Sequence, residues 1–329
     1  RRIWGYAKEF FATLMFGSGD VLYISGCPGG SRAYRCHNQV QELLQHGMKA
    51  KVISQGSLNL FWVAKKFKVI IFQRVIYNEH IHNVIEEIKK QNKTILFETD
   101  DLVFNPMYKH YMHYYQFMGE EEKSWYDNGI GREILEDSAL THCVVSTNYL
   151  AEAIKKKYPK KTVFISRNKL SIQQQEYARK ALAKKEFLKP SDGKIRIGYF
   201  SGSKSHDNDF ETISSVLLQI LKENKNAILM IVGHLKLNGF FDKVKNQIEY
   251  HSFVSLKKLP ELILRCDVNI APLEIDNPFC QAKSALKFFE AGVLEVPTIA
   301  TATDSFARTI NHSGNGFLAS NADEWYQYL

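Results

Sequence analysis

The sequence contains no run of 18 or more apolar residues, so it codes no transmembrane helix. It has no C-x-x-C pair. Its five cysteines, at 27, 36, 143, 266 and 280, are odd in number and widely spaced. That pattern argues against a zinc site and a disulfide framework, and it favours a reducing, cytoplasmic setting. H-E-x-x-H is absent and the histidines are scattered, so no metal is expected. No basic stripe is interleaved with aromatics, which speaks against nucleic acid as a partner despite a net charge of +8. The charge by itself suits phosphates or an anionic membrane surface equally well. The chain opens on Arg1 rather than Met, and it is expected to be a segment of a longer polypeptide.

What is present is a rhythm. Short apolar runs such as "VLYIS" (21–25), "KVIIFQR" (68–74), "KTILFETDD" (93–101) and "THCVVST" (141–147) alternate with helix-period segments. Runs of this kind, buried on both faces, predict parallel sheets of the doubly wound kind. The alternation stops at 171–193, a polar, helix-prone stretch ending in Pro190 and a Ser191-Asp192-Gly193 turn, and then restarts with "KIRIGYFSG". Two α/β domains are therefore expected, 1–190 including this linker and 191–329. The aromatic- and Met-rich segment 105–130 reads as a core-packing helix or as an insertion with a sticky face, packing being slightly favoured.

Four stretches carry candidate chemistry. In "SGCPGGSRAYRC" (25–36) a strand feeds a glycine loop and a helix. It is neither G-x-G-x-x-G nor a P-loop, since the Lys-Ser/Thr is missing. Amides at Gly29 and Gly30 could still hold an anion or sugar hydroxyl, with Arg32 and Arg35 adding charge; the other reading is a flexible connection with solvent-facing arginines. In "ETDDLVF" (98–104), Asp100 and Asp101 fall just past a strand's carboxyl edge, which borders the ligand crevice of open α/β sheets. They would orient hydroxyls, act as a base, bind a metal with further ligands, or simply cap the next turn. In "GYFSGSKSHDNDF" (198–210), Gly202, Ser203 and Lys204 suit a phosphate, while His206 and Asp207 would cap a helix or touch substrate. In "KSALKFFEAG", Lys283, Lys287 and Glu290 lie within roughly 60° of one another on a single helix. That face would meet a ligand with phosphates at one end and hydroxyls at the other, or it is a solvent face with a Lys-Glu pair.

Together these segments resemble the retaining glycosyltransferases of the GT4 type, which have the GT-B fold. "AKSALKFFEAGVLEVPTIAT" and "HSGNGFLASNADEW" are similar to that family's donor-site segments, "GGSRAYR" to its amino-terminal glycine loop, and "SGSKSHDNDF" to the first loop of its donor domain. "SRN" (166–168) looks like the element before the interdomain linker, and "ETDDLVF" resembles a stretch of a subgroup associated with surface polysaccharide biosynthesis.

The resemblance implies two Rossmann-like domains with parallel sheets facing across a cleft. The first would receive a glycan or lipid-linked glycan acceptor through Arg32, Arg35, Asp100 and Asp101. The second would hold a nucleotide-sugar through Gly202, Ser203, Lys204, Lys283, Ser284, Lys287 and Glu290, with Gly29 and Gly30 contributing from the first. Catalysis would fall to Glu290, Lys287, Lys283, His206 and Asp100, with no further cofactor. Peripheral membrane contact at an inner face, or flanking domains, would be compatible with this role. Three departures stand out: Ala282 occupies the place of the family's first glutamate, Glu295 stands where glycine is usual, and Ser201 or Gly202 replaces the phosphate-clamping arginine. The alternatives are a non-catalytic nucleotide-sugar- or carbohydrate-binding module of a larger synthesis protein and an epimerase on the same two-domain plan.

Overall fold

The computed structural model describes residues 17–202 and 207–329. The described residues divide into two compact units, one formed by residues 17–110 and 117–168, the other by 111–116, 169–202 and 207–329.

The first unit is built on a six-stranded sheet of β1 (Gly19–Ser25), β2 (Ala50–Ser54), β3 (Phe67–Gln73), β4 (Thr94–Thr99), β5 (His142–Val145) and β6 (Thr162–Ile165), in the order β2-β1-β3-β4-β5-β6. Every pairing is parallel. The central strands are buried on both faces, as their unbroken apolar runs require: Leu22, Ile24, Ile70, Phe72 and Phe97 have no exposed surface. The crossover helices begin where the sequence supplies caps. Asn78 accepts from the Ile81 amide at the start of helix Glu79–Lys90, and Thr147 accepts from Leu150 at the start of Asn148–Lys157.

The second unit repeats the plan with β7 (Ile195–Ser201), β8 (Ala227–Gly233), β9 (Ile248–His251), β10 (Val268–Ala271), β11 (Thr298–Thr301) and β12 (Phe317–Ala319), in the order β12-β11-β10-β7-β8-β9 and again all parallel. Side chains alternate between two cores. Ile197, Tyr199, Leu229 and Ile231 pack with Phe210, Leu217 and Trp325 on one face; Phe200, Met230 and Val232 pack with Ile263 and Leu294 on the other. Each unit is thus a Rossmann-like α/β fold with its sheet flanked by helices. Among the described residues, no helix is long and apolar enough to cross a membrane.

Two local expectations are corrected. The helices of the 171–193 stretch, Ile172–Leu182 and Lys185–Leu188, group with the second unit rather than the first, because Ala178 and Ala181 are buried in the core beneath Phe200 and Met230. The aromatic segment is not a core-packing helix. It forms short 3-10 turns over Pro106–Tyr111 and His113–Phe117 with no buried residue, then helix Glu120–Asn128, which also buries none.

After that helix the chain turns through Gly129 and Gly131, both at positive φ (82° and 80°). A Cβ on Gly131 would lie 2.2 Å from the Phe97 ring in the sheet. Gly131→Ala combines a left-handed backbone cost of about 1–2 kcal/mol with overpacking of about 1–3 kcal/mol. A urea melt is expected to show a loss of about 3 kcal/mol, and a loss under about 1 kcal/mol would mean that the turn is not held against Phe97.

Candidate functional site

In an open parallel sheet, ligands bind outside the carboxyl ends of the strands where the strand order reverses. In the first unit that point lies between β1 and β3; in the second it lies between β7 and β10.

At the first switch point the chain leaves β1 through Gly26 and β3 through Arg74. The two backbones touch: a Cβ on Gly26 would sit 2.0 Å from the Arg74 carbonyl oxygen, so only glycine fits. Arg74 itself holds φ 46°, a strained value for a non-glycine residue. Its Nη1 lies 3.3 Å from Asp100 Oδ1 and 3.8 Å from Asp101 Oδ2. Ser31 Oγ donates to Asp100 Oδ2 at 2.7 Å, and Gln73 Nε2 donates to Ser31 Oγ at 3.0 Å. Burial pushes the Asp100 carboxyl up, but Arg74 and the Ser31 hydroxyl more than offset this and hold it below the usual range. Asp100 thus stays anionic, and it and Asp101 are half-buried at the sheet edge. Gly29 and Gly30 are exposed, and a Cβ on either would meet nothing, so space lies open above them. They are the first residues of a helical turn, Gly29–Arg32, rather than a loop preceding the helix. Arg32 is half-buried nearby.

Arg35 is neither solvent-facing nor ligand-facing. The helix widens into a π turn over Ala33–His37 and carries Arg35 inward, to 0% exposure. There Nε donates to Glu98 Oε1 at 2.6 Å, and Nη1 donates to the Ser166 carbonyl at 2.7 Å and to Asn168 Oδ1 at 2.8 Å. Burial raises the Glu98 carboxyl to about 7, a rise that the Arg35 charge only limits. Arg35 is therefore a pillar beneath the edge that ties the 166–168 segment to β4.

At the second switch point the expected face of two lysines and a glutamate takes a different form. The segment is two short helices, Pro278–Ala282 and Leu286–Gly292, broken at Lys283, whose φ/ψ of −68° and 143° is extended. Lys283 therefore does not share a helical face with Lys287 and Glu290; only the latter pair does. The three still sense one another: Lys283 lowers the Lys287 pKa and Glu290 raises it. Lys283, Ser284 and Glu290 are half-buried. Ala282 is fully buried, so in this chain the position of the missing glutamate is a packing position. Gly202, at the end of β7, is exposed. Ser203, Lys204 and His206 lie outside the described residues.

Lys287 is the centre of this site. Its ammonium is buried, makes no hydrogen bond among the described residues, and sits 4.4 Å from the centroid of the Tyr199 ring on β7. Desolvation pulls its pKa down to about 8, against the charges of Asp209 and Glu290, which raise it. The backbone beneath it is anchored: Asn269 on β10 donates to the Lys287 carbonyl at 3.2 Å and to Thr298 Oγ1 at 3.0 Å. Asp209, Glu274 and Cys280 gather beside it, with one ligand atom from each within 4.8 Å of the others. The Cys280 thiol donates to Asp209 Oδ1 at 3.1 Å, and burial raises its pKa, so the sulfur keeps its proton and the trio is a hydrogen-bonded cluster. Sequence reasoning missed Asp209, Asn269 and Tyr199 because each is an ordinary strand or helix residue until the crossovers bring them together. The unexpected glutamate at 295 does take positive φ, 61°, and ion-pairs with Lys185 at 2.9 Å.

The arrangement offers a cation held ready for an anion, a carboxylate one turn along the same helix, and open backbone at Gly202. Residues 195–329 match the family model described as glycosyl transferases group 1. No curated protein matches the chain. Solved structures share its fold at low identity. Sucrose-phosphate synthase from Thermosynechococcus elongatus is 14% identical with a TM-score of 0.62, over 94% of this chain and 88% of that one. A glycosyltransferase from Rickettsia africae is 14% identical with a TM-score of 0.61, over 95% and 87%. HepE from Anabaena, in complex with UDP and glucose, is 14% identical with a TM-score of 0.57, over 94% and 88%. The family-model match over the second unit, together with the fold, indicates a glycosyltransferase enzyme.

Proposed function

We propose that the chain moves a sugar from a nucleotide-sugar donor to a hydroxyl of a glycan or glycolipid acceptor, with retention of anomeric configuration. The observation that carries this reading is the buried Lys287 ammonium over the Tyr199 ring at the β7/β10 switch point, with no hydrogen bond among the described residues and with Glu290 one turn along the same helix. A bound diphosphate would supply the missing partner for Lys287, with Lys283 and the amide end of β7 at Gly202 around it. As the donor bond breaks, negative charge grows on the leaving phosphate, where a fixed cation stabilises it most. Glu290 would accept hydrogen bonds from donor hydroxyls. Asp100, kept anionic by Arg74, and Asp101 beside it would orient acceptor hydroxyls. No pair of groups is set to form a covalent glycosyl intermediate among the described residues of this site, so a front-face route follows, the leaving phosphate taking the acceptor proton. A nucleoside diphosphate is also what HepE from Anabaena holds, which favours UDP as the first donor nucleotide to test.

Calorimetric titration of the full chain with UDP-, GDP-, CDP- and dTDP-sugars is expected to show binding of one nucleotide class at micromolar Kd, about −8 kcal/mol. Proton NMR of the product would then report the anomeric configuration. Failure of every nucleotide-sugar to bind would overturn the proposal, and binding without turnover on any acceptor would point to the non-catalytic module.

A further inference from the structure

The first unit contains a pocket of about 440 Å³ that none of the expected site residues lines. It opens beside the carboxyl ends of β2 and β3 and is walled on the other side by helix Glu120–Asn128 and the glycine turn after it. This volume lies within the range of about 300–1,000 Å³ usual for small-ligand sites. Two aromatic residues, Tyr77 and Trp125, supply apolar surface; Glu121, Glu133, Asn78 and Asn128 supply polar atoms.

The chemistry of the lining is selective. Although the chain carries a net charge of +8, no lysine or arginine lines the pocket among the described residues. Among the described residues, the carboxylates of Glu121 and Glu133 enter no ion pair, and the indole N–H of half-buried Trp125 makes no hydrogen bond. The pocket therefore offers acceptors, one indole donor and the three side-chain amides of Gln55, Asn78 and Asn128 around aromatic faces. Phosphate and carboxylate ligands would meet uncompensated negative charge there. A sugar ring suits it: hydroxyls can donate to the carboxylates and amide oxygens, while the ring's C–H face packs on an aromatic body whose polar edge takes a hydrogen bond.

The walls are preset. Tyr77 shares a hydrogen bond with His82 Nδ1 at 2.8 Å. Gln55 Oε1 accepts from the Ile76 amide at 2.9 Å, joining the ends of β2 and β3. The Ile130 amide donates to the Val103 carbonyl at 2.9 Å, and Gly131 is pinned against Phe97. A site held by its own backbone bonds spends little of its binding energy on ordering.

We infer that this pocket is a subsite for an uncharged or amine-bearing saccharide, the part of the acceptor remote from any phosphate or lipid carrier. The inference rests on the proposed sugar-transfer reading and gives that reading its acceptor class.

The test uses the full chain without donor. Maltose, cellobiose, N,N′-diacetylchitobiose and glucosamine are titrated by saturation-transfer NMR and calorimetry, with glucose 6-phosphate as the anionic counterpart. At least one of the first four is expected to bind, and glucose 6-phosphate is not. Trp125→Ala is expected to weaken that binding by about ten-fold or more, and Trp125→Phe by less, as expected for loss and partial recovery of an aromatic anchor. Glu121→Gln with Glu133→Gln is expected to weaken saccharide binding and to admit glucose 6-phosphate. Unchanged thermal midpoints keep these comparisons interpretable, and Trp125→Phe serves if the alanine variant folds poorly. The inference is overturned if none of the four saccharides binds, if Trp125→Ala binds as the parent does, or if glucose 6-phosphate binds as well as they do. A parallel UDP-glucose titration separates the two proposals. Its failure would count against the donor reading alone, and its persistence in Trp125→Ala, beside lost saccharide binding, would confine the effect to the pocket.

Discussion

Lys287→Met is expected to lower kcat/KM for sugar transfer by about 10²–10³, the range seen when one preorganised group facing the transition-state charge is removed, while leaving the protein as stable as before or more so. The two halves of this expectation come from one observation. The ammonium is buried and makes no hydrogen bond among the described residues, and desolvation is the largest influence on its charge, so in the free protein it is a cost rather than a support. Methionine has nearly the same length and removes that cost. A lysine that merely braced the fold would behave oppositely, with stability falling alongside activity.

The pH dependence gives a second check. Burial lowers the Lys287 pKa to about 8. Above that value the free protein carries neutral lysine, so donor affinity is expected to weaken as pH rises through about 8, and this inflection should vanish in the methionine variant. Stability runs the other way. Between the folded value and the ordinary 10.5, the unfolded chain binds more protons than the native one, so native stability rises with pH across that window. Lys287→Met should lose this rise. Stopped-flow donor binding and thermal melts at pH 6.5, 8 and 9.5 would measure both. A kcat/KM within about three-fold of the parent and an unchanged inflection would remove Lys287 from the donor site.

Arg35→Met is expected to cost about 3–5 kcal/mol of stability, the usual loss when one member of a buried ion pair is removed. Arg35 has no exposed surface and holds three groups at once: Glu98 on β4, and the Ser166 carbonyl and Asn168 side chain of the 166–168 segment. Removing it strands Glu98, whose carboxyl burial already raises to about 7. The sign follows from proton counting. An acid with a raised folded pKa binds more protons folded than unfolded, so its contribution is fully present below the ordinary 4.5 and is lost as pH rises through about 7. Without Arg35 the Glu98 pKa climbs further. The variant's deficit should therefore be smaller at pH 5, where Glu98 can take up a proton, than at pH 8. Urea melts at the two values would show it, and Arg35→Met with Glu98→Gln should recover much of the loss at pH 8. An equal deficit at both pH values, or one below about 1 kcal/mol, would mean that the pair carries no such weight.

Arg35 also marks the limit of what the sequence discloses. The strands were legible because residues buried on both faces must be apolar in unbroken runs, and their alternation with helices led to two parallel sheets. Asp100 and Asp101 were legible as strand-end carboxylates, since position past a strand is a local property. Arg35 was not. Whether an arginine within a helix points outward or inward depends on a partner 63 residues away and on a π turn that no composition announces. The break at Lys283 was equally hidden: lysine, serine and alanine tolerate a helix, and Cys280 and Ala285 on either side of the extended residue are both buried in one core cluster. Glu295 is the converse case, where a residue out of keeping with its turn correctly flagged a left-handed backbone. The pocket of the first unit was only partly legible: the 105–130 segment reads as aromatic-rich, but the other walls, Gln55 and residues 76–78, come from separate strand ends that only the folded sheet brings to it.

The strand orders bear on how a ribosome could deliver this molecule. In the first sheet, once β3 has docked beside β1, each newly synthesised strand adds at the outer edge next to the strand made just before it, so assembly can keep pace with emergence. The second sheet cannot grow that way. β8 and β9 extend one side, but the other flank of β7, beside Tyr199, waits for β10 to emerge about seventy residues later and return across the sheet. During that interval a nascent chain presents an unpaired, apolar strand edge along β7, the kind of edge on which other chains can pair.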